Sequence, residues 1–291
     1  MERVRKMIHT ELPHGEGFFG KGSTVAILDT GISMHPDFKN RILDFRDFVN
    51  GRSGVYDDNG HGTHLAGIIG GSGVLGGGRY MGIAPECQFV SLKVLDGMGN
   101  GNIESVVRAV DWILKNREKY HIRFLNISIG MMPQTHLSEQ RALVEAICAL
   151  WENNICVVVA SGNNGPDTSS VTVPGTIPEL ITVGSLDDND RVLLGGSMHV
   201  GYSGKGPTKH CVVKPEILAP GTRVVSCSRQ GGYVSKSGSS MATAVVTGGL
   251  AVMGEIYPQF TPSDMKLFLY SKLRRRKSSS GWGHFDFEEL M

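Results

Sequence analysis

One stretch limits the fold more than any other: Gly238-Ser239-Ser240-Met241-Ala242-Thr243-Ala244, with its continuation to Met253. Gly238 lets the backbone turn sharply. Ser239 and Ser240 are good helix-start residues, because a hydroxyl accepts from the unpaired N–H groups there. From Met241 the side chains are small or apolar, and a helix with no polar face is a buried one. Gly248 and Gly249 lower helix propensity, so a neighbouring backbone is expected to pack very close to them. A serine at the mouth of such a helix sits where oriented N–H groups and the positive dipole end favour a developing negative charge. Read alone, Ser240 is a capping serine.

The rest of the chain changes that reading. Short, mostly continuous apolar runs recur at 23–28, 89–95, 124–129, 155–160 and 180–183, as expected of strands covered on both faces. Between them lie helix-like segments at 62–69, 103–115 and 137–152, the second with apolar residues at Ile103, Val106, Val107, Val110, Ile113 and Leu114. Strand–helix alternation predicts an α/β domain with a largely parallel central sheet and helices on both faces. In such sheets the site lies outside the C-terminal strand ends. Asp29 stands at one such end, and Asn163 closely follows another.

Composition sets further bounds. The chain has 291 residues, of which 40% are hydrophobic and 20% charged, an ordinary globular composition. The net charge of +1 gives no electrostatic footprint for nucleic acid or a membrane surface, and neither is expected as a partner. No apolar run approaches the roughly 18 residues of a membrane-spanning helix. The first eight residues are charged and lack the apolar core of a signal peptide. Cys87, Cys148, Cys156, Cys211 and Cys227 are widely spaced without a C-x-x-C, so neither a disulfide framework nor a zinc site is expected. Free thiols and the missing leader point to a reducing, cytoplasmic compartment, with secretion after loss of a leader as the alternative. The glycine-rich 70–78 stretch reads as a loop, and the basic run 272–277 as a solvated surface segment.

Four residues can do chemistry. Asp29 closes an apolar strand, where an unpaired charge is costly to bury; it reads either as a turn aspartate or as a partner for a base. His61 opens a helix and is a candidate general base. His61 and His64 at i, i+3 could also be metal ligands, but no H-E-x-x-H and no acidic third ligand accompany them. Asn163 projects from the turn after a strand, where its carboxamide is either a turn element or a donor to an oxyanion. Together Asp29, His61, Asn163 and Ser240 supply an orienting carboxylate, a base, an oxyanion donor and a nucleophile. The chain order Asp, His, Ser is one of those that serine hydrolases use. The G-x-S-x-G elbow of the α/β-hydrolases is absent around Ser240.

The motifs that carry these residues resemble those of the subtilases, the subtilisin-like serine peptidases. They are Ala26-Ile27-Leu28-Asp29-Thr30-Gly31, His61-Gly62-Thr63-His64-Leu65-Ala66-Gly67, Ala160-Ser161-Gly162-Asn163-Asn164-Gly165-Pro166 and Gly238-Ser239-Ser240-Met241-Ala242-Thr243. The likeness runs from about Gly20 almost to the end, which divides the chain into an N-terminal extension, 1–19, and a peptidase domain, 20–291.

The resemblance implies peptide-bond hydrolysis. It makes Ser240 the nucleophile, His61 the general base and then acid, and Asp29 the group that orients His61. Asn163 and the Ser240 N–H would form the oxyanion hole. Residues 125–130 resemble the strand edge that pairs with an extended peptide. Ser128, Ile129, Gly130, Ala160, Ser161 and Gly162 would line the pocket for the residue before the cut. Thr172 stands near the place where many relatives carry glycine, which implies a medium, apolar pocket. No cofactor is required for the chemistry. Asp37 matches a calcium-ligating position of many relatives, but one aspartate is not a set of about six to eight oxygen ligands. Ala244 replaces the proline common after the serine motif. No large prodomain precedes Gly20, which again favours an intracellular enzyme. The expected partner is a peptide or protein substrate. The alternative is a catalytically silent protein of the same fold that binds peptides or regulates another protease.

Overall fold

Every residue of Thr24–Asp29 is buried, which a strand achieves only when both faces of its sheet are covered. The computed structural model describes residues 1–132, 137–194, 196–273 and 281–291. The basic run beyond Leu273 lies outside the described residues. In chain order the elements are α1 (Glu2–Met7), α2 (Glu11–Gly15), β1 (Thr24–Asp29), β2 (Ile42–Asp47), α3 (His61–Gly70), β3 (Gln88–Lys93), α4 (Ile103–Tyr120), β4 (Ile122–Ile127), α5 (Leu137–Glu152) and β5 (Cys156–Ala160). There follow β6 (Ile181–Ser185), β7 (Val192–Leu194), β8 (Ser197–His199), β9 (Ile217–Ala219), β10 (Val224–Cys227), β11 (Tyr233–Lys236), α6 (Ser239–Ile256), α7 (Pro262–Lys272), β12 (Gly283–His284) and α8 (Phe287–Leu290).

Eight strands form one sheet in the order β12-β9-β6-β5-β4-β1-β3-β2, and every pairing in it is parallel. Successive residues of a strand face opposite sides, and the core divides accordingly. Val25, Ile27, Phe124 and Val158 join one cluster with residues of α3 and α6. Ala26, Leu28, Leu125 and Val157 join a second cluster with residues of α4 and α5. This is the α/β architecture with a largely parallel sheet that the strand–helix alternation predicts.

α4 runs to Tyr120, five residues past the predicted end at 115. Its length is set by caps: Asn102 accepts from Ser105 N–H at the start, and His121 turns left-handed at the end. β2, β9, β12 and α7 are not foreseen. β9 and β12 are too short to show periodicity, with three and two residues. α7 starts from a capping box between Thr261 and Asp264.

α6 is buried from Ser239 to Gly254. At 18 residues with a mean hydropathy of 1.2 it has the length and composition of a membrane span, which corrects the expectation that no run comes near that length. Here it packs between the sheet and α3. A Cβ on Gly248 would stand 3.0 Å from the Ile69 carbonyl of α3, the close backbone approach expected. Gly249 differs, since its Cβ would meet the ring of Phe285 at 2.2 Å. Both glycines are small because something must fit against them.

Residues 1–19 pack onto the same body. Met1, Val4 and Ile8 belong to the core cluster of α3 and α6, and Ile8 O accepts from Phe287 N–H at 3.1 Å.

Candidate active site

Asp29 is the last residue of β1, His61 the first of α3 and Ser240 the second of α6. Asn163 follows the end of β5 by three residues. Strand ends and helix starts of a parallel sheet meet on one side, so the topology delivers all four to the same edge.

Asp29 and His61 are in direct contact. His61 Nδ1 lies 2.7 Å from Asp29 Oδ1, which also accepts from Thr30 N–H at 2.8 Å. A carboxylate can only accept, so Nδ1 carries the proton and Nε2 presents a lone pair. Asp29 is buried, whereas His61 keeps a quarter of its side chain exposed, at 25%. The second Asp29 oxygen, Oδ2, is buried and has no hydrogen-bond partner among the described residues. The close approach of α3 to the turn after β1 needs glycine at position 62, where a Cβ would stand 2.1 Å from the Gly31 carbonyl oxygen.

Asp57 holds this pair in place, and the sequence reading missed it. Its Oδ1 accepts from Thr30 Oγ1 at 2.9 Å, Asn59 N–H at 3.1 Å and Gly60 N–H at 2.7 Å. Its Oδ2 accepts from Thr63 N–H at 2.9 Å and Thr63 Oγ1 at 2.6 Å. One carboxylate thus ties the turn that follows Asp29 to the N-terminus of α3 that carries His61. Burial pushes the Asp57 carboxyl up, but the hydrogen bonds from Thr63, Gly60 and Thr30 outweigh it and hold it below the usual range. An acid four residues before a helix-opening histidine was the available signal. Lys93 adds a second tie: its buried ammonium donates to Thr30 O, Leu95 O and Asp58 Oδ1 at 2.8, 2.7 and 2.7 Å.

His64 does not join His61 in a metal pair. It is buried, and its Nε2 donates to Val224 O and Val234 O, both at 3.1 Å. Burial, assisted by Lys236 and His61, pushes its pKa down to about 3, so the ring is neutral. Its role is to anchor the β10–β11 hairpin, which leads into Gly238 and Ser240.

Asn163 and the start of α6 are also in contact. Asn163 Oδ1 accepts from Ser239 N–H at 2.9 Å. This orients the carboxamide and leaves its Nδ2 as the donor end. Gly238, at φ +148, lies against that amide, with its ideal Cβ position 3.4 Å from Nδ2.

The seven candidate substrate residues are brought together. Ser128, Ile129 and Gly130 follow β4, and Ala160, Ser161 and Gly162 follow into and past the end of β5. Thr172 N–H donates to Ser161 O at 3.1 Å, and Met131 pairs with Val173. The Thr172 side chain stands between two glycines. A Cβ on Gly130 would meet its Oγ1 at 2.3 Å, and one on Gly162 would meet its Cγ2 at 2.7 Å. Ser128, Ile129 and Gly130 also face a groove walled on its other side by Leu95, Gly101 and Ile103.

The surroundings of Asp37 do not fit calcium. Asp37 Oδ2 accepts from Tyr233 Oη at 2.9 Å and faces the Cys227 thiol at 3.6 Å, while Oδ1 accepts from Leu75 N–H at 3.4 Å. An imidazole and a thiol complete the cluster, and these are poor partners for an ion that takes oxygen ligands.

Known proteins are similar to this chain in sequence and fold. The pattern of the Subtilase family matches residues 20–284. The chain is 37% identical over 274 residues to serine protease AprX of Bacillus subtilis, a match covering 88% of this chain and 62% of that one. It is 33% identical over 259 residues to the thermostable alkaline protease of Halalkalibacterium halodurans, with 89% and 64% covered. It is 32% identical over 248 residues to subtilisin Savinase of Lederbergia lenta, with 85% and 82% covered. The solved structure of sphericase superposes with a TM-score of 0.79 at 26% identity, covering 92% of each chain. That of a cold adapted subtilisin-like serine proteinase gives 0.74 at 30%, covering 92% and 90%. The chain belongs to the subtilase family. It spans less than two thirds of the length of the first two relatives, 62% and 64%.

Proposed function

We propose that this chain is a serine endopeptidase that cleaves peptide bonds through an acyl-enzyme on Ser240. The observation that carries the reading is the 2.7 Å contact from His61 Nδ1 to the buried Asp29 carboxylate, on a chain that retains the family's serine motif at the start of α6. Asp29 fixes the tautomer of His61 and stabilises its protonated form. His61 Nε2 takes the Ser240 hydroxyl proton as Oγ bonds to the scissile carbonyl carbon, and the carbonyl oxygen becomes the oxyanion. Asn163 Nδ2 and the Ser240 N–H stabilise that charge. His61 then gives its proton to the leaving amine, and water repeats the sequence to free the acid.

Membership of a protease family supports peptide and protein substrates. An extended chain adds to the strand edge at residues 125–130, held by main-chain hydrogen bonds, while side chains choose the pockets. The chemistry needs no metal and no cofactor.

Labelling with a fluorophosphonate probe tests the reading. The native chain is expected to be modified once, on Ser240, and Ser240→Ala to give no adduct. A folded native chain that resists the probe supports the alternative, a silent peptide-binding member of the family.

A further inference from the structure

We propose that His35, Asp37 and Cys227 form a binding site for one borderline-soft divalent cation of the Zn²⁺ class. The proposal does not depend on the peptidase reading. All three residues are buried, and their ligand atoms lie within 4.8 Å of one another.

Each donor is oriented as a metal ligand would be. His35 Nε2 donates to Gly232 O at 2.9 Å, so Nδ1 carries the lone pair and faces Asp37. A histidine whose outer nitrogen is fixed by a backbone carbonyl is the usual form of a metal-ligating imidazole. The Asp37 carboxylate is oriented in turn by Tyr233 Oη at 2.9 Å. His35 Nδ1 stands 3.9 Å from Asp37 Oδ1, and Cys227 Sγ stands 3.6 Å from Asp37 Oδ2. Bond lengths of about 2.0–2.3 Å at tetrahedral angles require ligand separations of about 3.3–3.8 Å. These two separations run to different oxygens of Asp37, and the ligand atoms lie within 4.8 Å of one another, so an ion would draw the three donors together by up to roughly 1 Å. Two contacts must yield, the Asp37 N–H on His35 Nδ1 at 3.2 Å and the Cys227 S–H on Asp37 Oδ2.

The chemistry selects the ion. Nitrogen, sulfur and carboxylate donors suit zinc and its neighbours and disfavour calcium and magnesium. On binding, the Cys227 S–H bond breaks, its proton goes to solvent and a sulfur–metal bond forms. The dication then faces one thiolate and one carboxylate, which leaves the ion and its ligands neutral, as a buried location requires. Sequence spacing gives no sign of the site, because residue 227 reaches residues 35 and 37 only through the fold. Cys227 ends β10 and Tyr233 begins β11, so a bound ion would clamp the hairpin that leads into Ser240 to the segment after β1.

Cobalt titration of the metal-free full chain, carried on Ser240→Ala to exclude self-cleavage, tests the site. One equivalent of Co²⁺ is expected to give a thiolate-to-cobalt charge-transfer band that Zn²⁺ displaces, with a rise in Tm. Cys227→Ser should abolish the band, whereas Cys211→Ser, at the exposed thiol, should keep it. His35→Gln should weaken Co²⁺ binding at least about 10-fold. No band at equimolar Co²⁺, or a band that survives Cys227→Ser, overturns the proposal. Should Cys227→Ser not fold, unchanged affinity in His35→Gln overturns it equally.

Discussion

The side-chain carbonyl of Asn163 accepts the Ser239 N–H at 2.9 Å, so the residue beside the nucleophile candidate fixes which way the amide points. Oδ1 is used by the backbone, and Nδ2 remains as the donor end, which on the peptidase reading would meet the developing oxyanion. Asn163→Ala removes that donor and leaves the ground-state contacts of a substrate largely intact. We expect kcat to fall about 10²- to 10³-fold with little change in KM, a magnitude known from subtilisin, itself a member of this family. Steady-state kinetics on a peptide anilide checks it. A rise in KM with kcat unchanged would assign Asn163 to substrate binding instead.

On the peptidase reading, Thr172 would set the depth of the pocket beside Gly130 and Gly162. Its Oγ1 and Cγ2 occupy the space that a Cβ on either glycine would need. Thr172→Gly empties that space while leaving the Met131–Val173 pairing. The expected outcome is a shift of preference before the cut toward large apolar side chains. The kcat/KM ratio of Phe to Ala substrates should rise roughly 10- to 200-fold, the range that even one methylene confers in an apolar pocket. An unchanged ratio would place the pocket elsewhere.

His64 makes stability depend on pH. In the folded chain burial pushes its pKa down to about 3, from an ordinary value of 6.5. Below pH 6.5 the unfolded chain binds a proton that the folded chain refuses, so its contribution is complete above 6.5 and drains away as pH falls toward 3. The contribution is at most on the order of 5 kcal/mol. Urea midpoints of Ser240→Ala should therefore fall between pH 7.5 and 5. In the same background His64→Gln should start lower, since it disturbs the contacts to Val224 O and Val234 O, but its midpoint should fall less over that interval. Parallel slopes for the two proteins would assign the pH dependence to other groups.

Much of this was legible in the sequence, for identifiable reasons. Asp29, His61, Asn163 and Ser240 lie in motifs whose residue types are constrained from both sides, by chemistry and by the glycines that let the backbones meet. Gly62 and Gly238 mark those approaches in the sequence itself. The strands at the sheet's centre were readable because two-sided burial makes them continuously apolar. Asp57 was not, because a carboxylate near a histidine looks like any loop acid until its five hydrogen bonds are seen. The surroundings of Asp37 were hidden for another reason. Cys227 and Tyr233 approach it across 190 and 196 residues of chain, and no local pattern records such a contact.

Gly249 tests the packing that carries Ser240. Its ideal Cβ position lies 2.2 and 2.3 Å from two ring atoms of Phe285, and that ring is itself buried in the core. Helix propensity alone would make Gly249→Ala stabilising by up to about 1 kcal/mol. The overlap opposes it, since forcing one methyl into a filled core typically costs about 1–3 kcal/mol. Overlap at 2.2 Å is far inside contact distance and the ring is enclosed, so the steric cost should win and the midpoint of unfolding should fall. The double variant Gly249→Ala with Phe285→Leu separates the two effects. Leucine destabilises by itself, but it opens room at the ring's far end, so the alanine should cost less beside it than beside phenylalanine. The coupling between the two substitutions, read from a double-mutant cycle in urea on Ser240→Ala, is expected to be about 1 kcal/mol or more. Additivity would mean that α6 shifts as a unit instead, and the Asn163–Ser239 contact at its start would then shift with it.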